Sequence, residues 1–260
     1  GQLTEVGDYA FYQTAIGDLP DLGQVSSVGN YAFAGTLITE VTLPDNITVG
    51  DYAFADCDLL SRVSGGNNVT IGASAFRNNT ALSQVTLGDN AYLGDYAFAA
   101  VRERIDYKQV SGLGTLYFYG YTSKLTSITL GDNAYIGNAA FIGAGMDMTV
   151  SQTPELTLTL GDGARIGAEA FSFGTTGLRT LDLSGVVEIG ESAFATNFPM
   201  LIDLNGETLI YGYLVLTPSI TELDLSSLET LGANAFADFR NLTSVTLGDG
   251  LTEIGAYAFQ

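Results

Sequence analysis

The sequence predicts a repeat solenoid: one elongated right-handed rod or horseshoe with a parallel sheet of short strands and tight turns or short helical turns opposite. Three observations carry this. The pattern Gly-x-x-Ala-Phe occurs ten times in 260 residues, where about 0.2 copies would arise by chance. Its opening glycines, among them Gly7, Gly29, Gly50, Gly72 and Gly94, recur at a nearly constant spacing. A second pattern, Leu-x-x-Val-x-Leu, precedes many copies at a similar distance. A unit this small cannot bury its own apolar side, but a stack can.

The phenylalanines of the pattern are Phe11, Phe33, Phe54, Phe76, Phe98, Phe141, Phe171, Phe194, Phe236 and Phe259. Two gaps between opening glycines, Gly94 to Gly137 and Gly190 to Gly232, are twice the period. Each is expected to hide a degenerate copy, Gly114-Thr-Leu-Tyr-Phe118 within 105–118 and Gly212-Tyr-Leu-Val-Leu216 within 202–216, giving about twelve turns in one domain over 1–260. Extra residues near Gly145-Met-Asp-Met148 lengthen one turn and predict a protruding loop.

The elements of one unit follow in order. Leu82-Ser-Gln-Val85-Thr-Leu87, Leu125-Thr-Ser-Ile128-Thr-Leu130 and Leu242-Thr-Ser-Val245-Thr-Leu247 end in apolar–polar alternation, the mark of a strand with one buried face. Pro44-Asp-Asn, Gly88-Asp-Asn and Gly161-Asp-Gly then supply turn residues that accept positive φ or close Asx turns. An Ile-Gly or Leu-Gly pair re-enters the core, and the Ala-Phe segment follows, too short for a free-standing helix. Equivalent positions stack into ladders, with twelve strands in one parallel sheet, and right-handedness follows from the preference of parallel crossovers.

Composition narrows the function. The chain has no His, one Cys, and 9 Lys and Arg against 29 Asp and Glu, for a formal charge of −20. That removes the commonest general base and metal ligand and any Cys-based zinc site. So acidic a surface repels phosphate backbones, and no nucleic-acid partner is expected. No apolar run approaches a membrane span, and direct membrane insertion is not expected. No cofactor or metal is expected either. Asp8, Asp51 and Asp95 after the repeat glycine, and Asp45, Asp89, Asp132, Asp162 and Asp249 in the turn, read as turn chemistry and solubility.

The units resemble the BspA-like leucine-rich repeats, which read much like Leu-x-x-Val-x-Leu-Pro-Asp-x-x-x-x-Ile-Gly-x-x-Ala-Phe-x-x-Cys. Cys57, after Ala53-Phe54-Ala55-Asp56, holds the slot where that family often carries Cys; Thr36 and Asn79 hold it elsewhere. The resemblance implies a secreted or surface-attached bacterial protein, often linked to adhesion, and no catalytic residue. The working surface expected of such a solenoid is the outer face of its strands: Glu40 and Thr42, Arg62 and Ser64, Gln84 and Thr86, Ser127 and Thr129, Thr157 and Thr159, Thr180 and Asp182, Glu222 and Asp224, Ser244 and Thr246. Thr is also an ordinary filler of half-exposed strands.

The tyrosines Tyr9, Tyr31, Tyr52, Tyr96 and Tyr257 form a second row, expected to stack on the back of the coil. Segment 101–124 departs from the pattern. It holds Arg102, Arg104, Lys108 and Lys124 among five aromatics, and alignment on Gly114 places Arg104 and Asp106 on the outer face between Gln84 and Ser127.

The expected function is a non-catalytic extracellular recognition or adhesion module for a host or bacterial surface protein or glycan. The alternative is a structural spacer or self-association segment of a larger surface protein, associating through uncapped ends. An enzyme is the third class and needs a carboxylate pair in a cleft, which a regular rod rarely offers.

Overall fold

The computed structural model describes residues 2–112, 114–146, 155–204 and 207–260. The protruding loop expected near residues 145–148 therefore falls largely outside the described residues.

Each regular unit contributes two strands on different sides of the coil. The longer ones, Glu40–Leu43, Arg62–Gly65, Gln84–Leu87, Ser127–Leu130 and Thr157–Leu160, form a five-stranded parallel sheet. The alternation does what it predicts: Val41, Val63, Val85 and Ile128 are fully buried while the residues beside them face out. The apolar residue before the repeat glycine and its predecessor form the other strand, two residues long, as in Thr48–Val49, Thr70–Ile71 and Tyr135–Ile136. Ten of these short strands make one parallel sheet running from Glu5–Val6 to Glu253–Ile254. The expectation of twelve strands in a single sheet is thus corrected: the short strands form one parallel sheet of ten, and the longer strands form a parallel sheet of five and a separate parallel pair, Glu222–Leu225 with Ser244–Leu247. A strand of two residues is too short to display alternation, so in the sequence it reads as a mere return to the core.

The Gly-x-x-Ala-Phe segment is a turn. Its third residue has φ near +55° in every copy, from Tyr9 at 56° to Tyr257 at 59°, and the Ala10 N–H donates to the Gly7 carbonyl. This is the geometry of a type II turn, ordinarily the place of Gly or Asn. Here Tyr, Ser, Ala and Glu also hold it, because the turn is bonded to its neighbour: Tyr9 N–H donates to Asn30 O at 2.9 Å and Phe11 N–H to Ala32 O at 2.7 Å. The opening glycine is required by close stacking. A Cβ on Gly29 would sit 2.5 Å from the Asp8 nitrogen, and one on Gly50 would sit 2.8 Å from the Asn30 nitrogen.

Behind the turns the ten phenylalanines form an unbroken column. Successive centroids lie 5.0 to 5.6 Å apart and the rings stay within 10° of parallel. Phe33, Phe54, Phe76, Phe98 and Phe141 are buried as expected. Cys57 lies at the edge of this column. Its thiol donates to the Phe33 carbonyl at 3.2 Å and sits 3.4 Å from Thr36 Oγ1, and burial pushes its pKa up. Asn79 Nδ2 likewise donates to the Phe54 carbonyl of the preceding coil and also to Phe76 of its own turn, and Thr36 Oγ1 donates to Phe33 of its own turn, so the slot selects a hydrogen-bond donor rather than cysteine chemistry.

The two expected degenerate turns are not turns of the coil. Short strand Tyr92–Leu93 pairs directly with Tyr135–Ile136, and Glu188–Ile189 directly with Thr230–Leu231. Phe98 likewise stacks on Phe141 and Phe194 on Phe236. The intervening residues leave the coil as two hairpins, Val101–Val110 with Gly114–Thr122 and Asn197–Leu204 with Glu207–Val215. The hairpins pair with each other through Leu116–Phe118 against Met200–Ile202, making one four-stranded antiparallel sheet. Phe118, aligned with the spine by sequence, instead packs 6.0 Å from Phe198. At the root of the sheet, Tyr121 and Phe198 join Ala99, Ala139, Ile142 and Met146 in a small core of their own. The coil therefore has ten rungs rather than twelve.

Candidate ligand surface

The five-stranded sheet fixes a grid of side chains. One row pairs Glu40, Arg62, Gln84, Ser127 and Thr157 in strict register; the other pairs Thr42, Ser64, Thr86, Thr129 and Thr159. Rungs about 4.8 Å apart make this plane ~20 Å long. Its ends are exposed and its middle half-buried, and Thr42 Oγ1 lies 3.2 Å from Ser64 Oγ. A hydroxyl can donate and accept, so the plane can match either kind of group on a ligand.

The plane then breaks. Thr180 and Asp182 lie outside any strand, and their segment touches the sheet through the single bridge Leu156–Leu178. Asp182 turns to its own loop, accepting from Ser184 Oγ at 2.7 Å and Ser184 N–H at 3.0 Å; these bonds hold its carboxyl below the usual range. Glu222 and Asp224 pair with Ser244 and Thr246 on a separate two-stranded sheet, Glu222–Leu225 with Ser244–Leu247. Between the two patches lies a cleft of about 270 Å³ lined by Arg179, Thr180, Asp182, Ser219, Thr221 and Glu222. Arg179 Nη1 donates to Ser219 Oγ across it at 3.2 Å. A second cleft of about 320 Å³ opens at the other end, between Leu19–Gly23 and Glu40, Thr42 and Pro44.

Arg104 and Asp106 do not join the plane. Gln84 pairs directly with Ser127, so no rung lies between them. Both residues sit on the outer strand of the first hairpin, where Arg104 Nε meets Asp106 Oδ1 at 3.0 Å and the guanidinium lies 4.0 Å over the Tyr117 ring. Arg102 covers Tyr119 at 5.1 Å. The misplacement comes from aligning a hairpin as though it were a coil.

The acid rows have a structural use. Asp8 accepts from Asn30 N–H at 2.7 Å, Asp51 from Ala73 N–H and Asp95 from Asn138 N–H at 2.8 Å, each bridging to the next coil. Asp45, Asn67, Asp89 and Asp132 repeat the device in the other turn. Beside them runs a ladder that sequence reading missed: Asn68 Nδ2 donates to Asn46, Asn90 to Asn68 and Asn133 to Asn90, at 2.9, 3.0 and 3.3 Å. The recurrence of Asn after Asp was its only signal. Tyr9, Tyr31 and Tyr52 stack at 5.1 and 4.9 Å; Ser74 occupies the next rung and ends that run. Among the described residues no group of three or more acidic or Cys side chains could hold a metal ion. Nor is any described helix long and apolar enough to cross a membrane.

The repeat decides the family. The model for the BspA type leucine rich repeat region matches residues 1–105, 26–147, 103–200 and 210–260. The chain belongs to the BspA-type leucine-rich repeat family. Among solved structures it is similar to a leucine-rich repeat protein from Bacteroides ovatus at 20% identity, covering 99% of this chain and 68% of that one, with a TM-score of 0.34. A leucine rich cell surface protein from Faecalibacterium prausnitzii matches at 15% identity over 94% and 76%, TM-score 0.31. The pneumococcal vaccine antigen PcpA matches at 15% over 98% and 66%, TM-score 0.27. No curated protein matches. The regular units of this BspA-type chain share their inward residues and differ mainly in what faces outward.

Proposed function

We propose that this chain is a non-catalytic recognition module, displayed outside the cell or on its surface, that binds a protein or glycan through the hydroxyl-rich plane of the five-stranded sheet. The observation that carries the reading is the grid itself: ten side chains, mostly Thr, Ser and Gln, held in register with their inward neighbours locked in the core. Such preorganisation lowers the entropic cost of binding. The cleft beside Thr180, Asp182 and Glu222 extends the surface and supplies one cation and two acids. Family membership supports the surface location. Arg104 and Asp106 lie on the hairpin sheet and form no part of this plane.

The test is an array of glycans and matrix proteins probed with the intact chain and with Thr86→Tyr/Thr129→Tyr, which fills the middle of the grid. The expected result is a ligand whose affinity falls at least tenfold in the double variant at unchanged melting temperature. A ligand bound equally by both proteins moves recognition elsewhere on the molecule.

A further inference from the structure

The four-stranded hairpin sheet has two edges of opposite character. One edge, Val101–Val110, carries Arg102, Glu103, Arg104, Asp106 and Lys108, five charges in ten residues. Edge strands so charged resist pairing with other chains. The other edge, Glu207–Val215, has no charge after Glu207, and it pairs with Asn197–Leu204 alone among the described residues. Leu209, Ile210, Tyr211 and Tyr213 on it are all exposed, from 47% at Leu209 to 65% at Ile210. An uncharged strand with free main-chain donors and acceptors is a template for another strand.

We propose that this strand is a self-association site, pairing antiparallel with the same strand of a second copy of the chain about a two-fold axis through Tyr211. Two features of the strand select a copy of itself. A bulge between Met200 and Leu201 leaves Tyr211 as an extra residue, since Met200 faces Gly212 and Leu201 faces Ile210. A two-fold at Tyr211 sets one extra residue against the other, so register is kept on both sides, whereas a regular foreign strand leaves Tyr211 unopposed. Charge points the same way. Antiparallel pairing places Glu207 of each copy opposite Val215 of the other, with the two carboxylates at opposite ends of the interface; a parallel pair sets them side by side. Leu209 then faces Tyr213, an aliphatic–aromatic pair of the kind that stabilises antiparallel ladders.

One strand edge is a small interface, below the size class of stable dimers, so the association is reversible. It also works against two net charges of −20. Added salt screens that repulsion, so the dimer tightens with ionic strength.

The experiment is sedimentation velocity of the full chain over a concentration series at low and physiological salt, with variants at three positions. Leu209→Lys, which gives this edge a charge like those on the opposite edge, is expected to weaken dimerisation at least tenfold with an unchanged melting temperature. Tyr211→Cys is expected to form a disulfide-linked dimer under oxidation, because directly opposed residues in an antiparallel pair lie within disulfide reach. Thr208→Cys, opposite Leu214 of the other copy, is expected to form none, and Cys57 is buried. A chain that stays monomeric at every concentration and salt, a dimer indifferent to Leu209→Lys, or equal cross-linking at 208 and 211 overturns the proposal.

Discussion

The regular coils from Glu40 to Phe98 and the hairpin sheet are both built from strands, of two to four residues in the coils and eight to ten in the hairpins, and they are held together differently. In the coils the strand hydrogen bonds run to the adjacent coil at equivalent positions, and the spine rings stack on their own kind, as Phe54 does on Phe76 at 5.0 Å. The hairpin sheet joins Tyr117 to Leu201 across the intervening coils, antiparallel, over a mixed core of Tyr121, Phe173 and Phe198. A coil residue therefore acts through a column shared by the whole rod. A hairpin residue acts through a local cluster. Damage to the first should spread, and damage to the second should stay where it is made.

The largest effect expected is in the spine. Phe76→Ala should cost about 3–5 kcal/mol, the usual range for a fully buried aromatic, read as a fall in the midpoint of denaturant unfolding. An unchanged midpoint breaks the contrast at once. Phe198→Ala should cost a similar gross packing energy but act locally. Hydrogen exchange should speed up over 101–122 and 197–215 while the amides of Val41, Val63 and Val85 keep their protection. Loss of protection in both regions makes the sheet part of the coil's cooperative unit.

Smaller effects are expected in the turns. Asn68→Ala removes one rung of the amide ladder and should cost on the order of 1 kcal/mol, read in the same denaturant titration. Smallest is Asp182, exposed and held to Ser184. Its folded pKa is depressed, so its contribution to stability is present above the unfolded value and lost as pH falls through the folded one. Ser184→Ala should move the Asp182 titration up toward the ordinary carboxylate value of 3.8, as followed by carboxyl carbon NMR, with almost no change in stability at neutral pH.

The same contrast explains what can be read from sequence. The Phe spine, the buried Val row and the outward Thr row are legible because a repeat states each position many times. The second sheet is not, since its strands hold only one inward residue each, such as Val49 or Ile71. The hairpins pass for coils because the stretches from Gly94 to Gly137 and from Gly190 to Gly232 fit two periods by length. Their own signal is present: Val101–Val110 is longer than any coil strand, and the turn residues Ser111 and Gly112 follow it. Their pairing with each other leaves no trace, because nothing periodic links Tyr117 to Leu201. Arg104 and Asp106 are misplaced for the same reason, while the grid from Glu40 to Thr159 is placed by period alone.

The departures from the repeat form one sheet outside an unbroken ten-rung coil, and backbone NOEs on the deuterated protein test this without any substitution. Contacts are expected between Tyr117 and Leu201 and between Leu93 and Ile136. Contacts of the 114–118 backbone with Leu93 on one side and Ile136 on the other would contradict that arrangement and restore a twelve-rung coil.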